Sequence, residues 1–145
     1  MKKYTQADFD AFEVIDGIKQ CPSGDYSDIQ IFGACCSFGK GCSFGEWCSF
    51  GEGCTFGACC SFGEYCSFGE WCSFGRCCSF GERCSFGACC SFGEGCAFGA
   101  WCSFGECCAF GGGCSFEDKG EYIGDYPFMA FVGFGSRIGS KVYYI

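Results

Sequence analysis

Cysteine is the residue of this chain that is both abundant and regular enough to suggest chemistry. Twenty of the 145 residues are Cys and none is His. Thiolates bind soft or borderline cations such as Zn²⁺ and Cu⁺. From Cys36 to Cys114 a cysteine recurs at every sixth position. A metal site needs ligands that converge on one point, whereas these thiols alternate with phenylalanine along the chain. They are therefore expected to be small core hydrophobes, with no metal and no cofactor. Five more, Cys35, Cys59, Cys77, Cys89 and Cys107, each stand directly before a periodic cysteine. They occupy a variable position and are expected to face outward or to sit at corners. No Cys-x-x-Cys motif is present to stabilise a thiolate. Without histidine no Ser/His/Asp or Cys/His set can form. The chain is not expected to be an enzyme.

The elements that position these thiols follow from the same period. Phenylalanine occupies every sixth position from Phe32 to Phe116, and glycine follows each of them except the last. The residue between Cys and Phe is Ser, replaced only by Thr55, Ala97 and Ala109. The unit reads Cys-Ser-Phe-Gly-x-x. A period of six does not match the 3.6 of a helix, and a glycine in every unit would destabilise one. It suits short extended segments joined by corners. Residues two apart in a strand face the same way. Cys48 and Phe50 then point inward together, Ser49 points outward, and Gly51 permits the corner. One coil cannot bury its inner face alone, but a stack of coils can.

Phe50-Gly51-Glu52-Gly53-Cys54-Thr55 resembles the hexapeptide repeat of left-handed parallel β-helix proteins, with phenylalanine in place of the family's aliphatic residue. The resemblance implies an all-β fold, a single-stranded parallel β-helix (β-solenoid), left-handed and three-sided. A coil of about 18 residues then gives almost five coils and a rod about 23 Å long. A four-sided coil of 24 residues is the geometric rival, because ring volume favours a wider section. Internal duplications, such as Gly-Ala-Cys-Cys at Gly33, Gly57 and Gly87, respect only multiples of six and leave both open. The family includes acyltransferases, which typically use a histidine base and an extended loop. This chain lacks the histidine, and its repeat is uninterrupted. Cys-Ser-Phe-Gly repeats are also similar to those of uncharacterised bacteriophage and prophage proteins.

Three sides place Trp47, Tyr65, Arg83 and Trp101 in one outward column, the composition of a protein interface. Glu46, Glu64 and Glu82 form an acidic column beside it. Mutual packing of neighbours on the coil surface explains the same aromatics without a partner. The chain carries a net charge of −8 and no basic patch, so direct nucleic-acid binding is not expected. The leading expectation is a rigid structural or protein-binding module, with a protein partner or self-association as a homodimer. An acidic nucleic-acid mimic that inhibits a DNA-binding protein is second. In the 18-residue coil Cys59 stacks on Cys77 and Cys89 on Cys107, at separations inside the range of disulfide Cα distances.

Residues 1–31 are expected to form an N-terminal cap. Thr5 and Asp8 signal a short helix over residues 6–11. Asp16-Gly17 signals a type I′ hairpin between 12–15 and 18–21. Residues 32–116 form the solenoid. Residues 117–145 form a C-terminal hairpin cap, with a strand over 128–134, a loop over 135–140 and a second strand over 141–145. Met1-Lys2-Lys3-Tyr4 is followed by no apolar run, and no stretch reaches the ~20 apolar residues of a membrane span. A cytoplasmic protein is expected, in the bacterial host if the chain is phage-encoded.

Overall fold

The computed structural model describes residues 1–117 and the short strands at 121–122, 136–138 and 141–143. The chain is a parallel β-solenoid of about five turns with a short N-terminal helix. Three sheets form its sides. Strands pair with those one coil away at a step of 18 residues: Ser73 lies opposite Thr55 and Ser91, and Phe74 opposite Phe56 and Phe92. The coil therefore has three sides.

The rings explain how three phenylalanines per layer fit. Phe74 lies parallel to Phe56, with centroids 4.8 Å apart and planes at 2°. It meets Phe68 edge-on at 5.0 Å and 84°, and Phe62 at 5.7 Å and 84°. Each column is thus a parallel ladder, and the three columns meet edge to face around the axis. Both geometries match the aromatic quadrupole, and each such pair is worth about 0.5–1.5 kcal/mol beyond the area it buries. The edge-on fit lets three rings share one narrow layer, so no fourth side is needed.

In the middle of the rod a side is tied to the next coil by three backbone hydrogen bonds. Ser67 N–H donates to Cys48 O at 2.8 Å, Gly69 N–H to Phe50 O at 3.0 Å, and Trp47 N–H to Glu64 O at 2.9 Å. Buried backbone polar groups are paired in this way along the rod.

The glycine after each phenylalanine has a different role from the one its position suggests. The left-handed corner conformation falls two residues later, at Trp47 (φ 62°), Cys59 (φ 62°) and Trp71 (φ 63°), or at glycine as in Gly53 (φ 70°). The residue after phenylalanine is glycine because the coils touch there. A Cβ on Gly51 would lie 2.6 Å from Ala34 N and 2.8 Å from Ala34 Cα. Most of the left-handed corners carry side chains, at about 1–2 kcal/mol each. Trp71→Gly, at an exposed corner, is expected to raise stability by about 0.5–1 kcal/mol in urea unfolding. Gly53 already occupies the equivalent corner one coil below.

The N-terminal segment closes the aromatic core. The helix Gln6–Asp10 starts at Thr5, whose hydroxyl accepts from Asp8 N–H at 3.2 Å while Asp8 accepts from Thr5 N–H at 2.8 Å. Its Phe9 meets Phe32 edge-on at 5.1 Å and 86°. Val14–Ile15 pairs antiparallel with Ile18–Cys21 across Asp16-Gly17, both at positive φ. Tyr26 extends the third ring column, stacked on Phe44 at 5.5 Å, and Tyr4 stacks on Tyr26 at 5.1 Å. Tyr26 is fully buried, and burial pushes its hydroxyl pKa up. The hydroxyl donates to Pro22 O.

At the other end the strand expected over 128–134 lies outside the described residues. The loop expected over 135–140 contains a strand instead, Ser136–Ile138. It pairs parallel with Ser115–Phe116, placing Ile138 opposite Phe116, and antiparallel with Lys141–Tyr143. The open sheet edge at Ser115–Phe116 offers backbone groups that Ser136–Ile138 can pair, and that outweighs the loop-like composition. Glu121–Tyr122 pairs with Ser103–Phe104 at the same 18-residue step. The six-residue register thus passes the break at residue 117 and returns at Tyr122.

Candidate functional site

Within a unit, Cys and Phe are buried and Ser lies on the sheet face. The two corner residues carry the side chains that project furthest from the rod. The 18-residue step sorts the second, left-handed corner residues into three columns. The first holds Trp47, Tyr65, Arg83 and Trp101, as the sequence predicts. Trp47 and Tyr65 are stacked at 4.2 Å and 5°. The Arg83 guanidinium lies 5.9 Å from the Tyr65 ring centroid and 5.6 Å from that of Trp101. Trp47 is 59 % exposed and Trp101 47 %. The four side chains form one continuous stripe in which a cation links two aromatic segments. Glu46, Glu64 and Glu82, all exposed, precede the first three members. Their carboxylates face water, where screening softens their mutual repulsion.

The second column runs Cys35, Gly53, Trp71, Cys89, Cys107. The third runs Gly41, Cys59, Cys77, Gly95, Gly113. The corner bonds fix both: Trp71 N–H donates to Ala88 O at 3.0 Å, and Cys77 N–H to Glu94 O at 2.8 Å. Trp71, at 65 % the most exposed tryptophan, is absent from the predicted surface. Stepping by 18 from Cys35 reaches it, so the signal was present once the coil length was settled.

The inward thiols are structural. Cys54 Sγ donates to Gly33 O at 3.3 Å, and Cys72 Sγ to Gly51 O at 3.4 Å, a pattern repeated up the rod. Each thiol supports the coil beneath it. Contacts with Cys102 and Cys66, with burial added, push the Cys84 thiol up. Cys72 is pushed up to about 11, first by Cys54 and then by burial, against an opposing contact with Cys90. The same contacts act in the opposite direction on the neighbours: Cys36, then Cys72, hold the Cys54 thiol down at about 3. Among the described residues no group of three or more His, Cys, Asp or Glu side chains is placed to hold a metal ion. Among them, too, no helix is long and apolar enough to cross a membrane.

No family model, curated protein or solved structure matches the chain.

Proposed function

We propose that this chain is a rigid, non-catalytic module that binds a protein partner through the Trp47–Tyr65–Arg83–Trp101 column. The observation that carries the reading is the stacking itself. Trp47 lies flat on Tyr65 at 4.2 Å, and Arg83 sits between Tyr65 and Trp101. The side chains are held by their neighbours while their outer faces remain exposed. Tryptophan, tyrosine and arginine are the residues that dominate protein interfaces. A surface ordered before binding loses little side-chain entropy on docking. The reading extends to a phage-encoded component acting in the cytoplasm of a bacterial host.

The acidic column favours a second reading, a nucleic-acid mimic. Exposed Glu46, Glu64 and Glu82 recur at one-coil intervals beside the aromatics, a regular row of negative charge that a DNA-binding protein can engage. One pull-down from host lysate separates the two, with Trp47→Ala/Trp101→Ala and Glu46→Gln/Glu64→Gln/Glu82→Gln baits in parallel. The aromatic variant is expected to weaken capture by about 2 kcal/mol or more, roughly 30-fold. The Gln variant is expected to retain its partner. A DNA-handling partner lost from the Gln variant, and released by salt, decides for mimicry. A dimer in sedimentation that only the aromatic variant dissolves identifies the partner as a second copy of the chain.

A further inference from the structure

The two corners that do not carry the aromatic column carry stacked thiols. Cys59 lies one coil below Cys77, and Cys89 one coil below Cys107. Backbone bonds set each pair: Cys59 N–H donates to Arg76 O at 2.9 Å, and Cys89 N–H to Glu106 O at 2.8 Å. All four cysteines share the same corner conformation, with φ of 62°, 59°, 61° and 61°, so their side chains leave the rod in parallel. Thiols at these corners lean toward the coil above. A Cβ on Gly53 would meet Cys35 Sγ at 3.5 Å, and one on Gly95 would meet Cys77 Sγ at 3.5 Å. Above Cys59 and Cys89 the next corner residue is a second cysteine. Cys59, Cys77 and Cys107 are exposed and Cys89 half-buried. Gly95 and Gly112 leave an open groove of about 490 Å³ against Cys59 and Cys77.

We propose that Cys59–Cys77 and Cys89–Cys107 are two-coordinate sites for a soft monovalent cation of the Cu(I) class, each ion bridging adjacent coils. Neighbouring strands lie about 4.8 Å apart. A zinc–thiolate bond is about 2.3 Å; two bonds of about that length laid end to end span about 4.6 Å, so a linear ion fits between stacked thiolates without moving the backbone. Thiolate ligands select Cu(I). The absence, among the described residues, of a third metal-type ligand at either pair disfavours tetrahedral Zn²⁺. Each ion replaces two thiol protons with two sulfur–metal bonds and releases both protons to solvent, so affinity rises with pH.

The test is an anaerobic Cu(I) titration of the full, reduced chain against a chromophoric Cu(I) chelator. Two equivalents are expected to bind. Cys59→Ser and Cys107→Ser should each remove one, and Cys35→Ser none. Circular dichroism confirms that these surface variants fold. In a Trp47→Phe/Trp101→Phe background, Trp71 sits one coil below Cys89, and its fluorescence should drop as the upper site fills but not in Cys107→Ser. Unchanged stoichiometry in the Cys59→Ser/Cys107→Ser double variant overturns the proposal. So does failure to take copper from the chelator.

Discussion

Replacing Phe74 by alanine is expected to lower stability by about 3–5 kcal/mol. The ring is stacked between Phe56 and Phe92 at 4.8 and 4.9 Å. It is held edge-on by Phe68 and Phe80, both at 5.0 Å. Removing it interrupts one ladder and takes an edge-to-face partner from the other two. The surrounding rings cannot collapse into the gap, because each is fixed by its own coil's backbone bonds. A solenoid has only neighbouring coils to stabilise each turn, so a central defect separates two short stacks. The check is denaturant unfolding followed by far-ultraviolet circular dichroism. Phe74→Leu keeps apolar volume but loses both ring geometries, and should show a smaller loss. Equal midpoints for wild type and Phe74→Ala would mean that the ladder does not hold the rod together.

The second large effect distinguishes two glycines in the same Phe-Gly context. Gly75→Ala is expected to destabilise by about 3 kcal/mol. Its Cβ would lie 2.6 Å from Ala58 N and 2.8 Å from Gly57 C. These are backbone atoms and cannot rotate away. The coils must separate locally, straining the bond from Gly75 N–H to Phe56 O, now 2.9 Å. Gly33→Ala is expected to change stability by no more than about 0.5 kcal/mol, because a Cβ there meets nothing within 4 Å. Gly33 opens the first coil, with no coil beneath it at that corner. Parallel unfolding curves of the two variants provide the measurement. Equal losses would assign the glycine to backbone conformation rather than to contact between coils.

The aromatic stripe was legible once three sides were assumed, because stepping by 18 from Trp47 reaches Tyr65, Arg83 and Trp101. The same step aligns Cys59 with Cys77 and Cys89 with Cys107. Trp71 shows the limit of that reading. Its spacing from Trp47 and Trp101 is a multiple of six, like every other spacing in the repeat, and only the coil length assigns it to the thiol corner. The C-terminal hairpin shows another limit. Ser136–Ile138 reads as a loop in isolation, with glycine on either side, and becomes a strand because a sheet edge is available to it.

Strand alternation is local: with Cys and Phe two residues apart, the chain must bury both and expose the residue between them, whatever the wider geometry. The unbroken register therefore specified a β-solenoid with a thiol and ring interior, and the signals at Thr5-Asp8 and Asp16-Gly17 specified the start of its cap. Coil closure is not local. Three sides were selected by edge-to-face contact between rings six residues apart and parallel stacking between rings 18 apart. Contact between coils then assigned the first glycine of each unit to close approach and moved the left-handed residue two positions on. Those choices depend on distances between segments far apart in the chain, and only the assembled stack decides them.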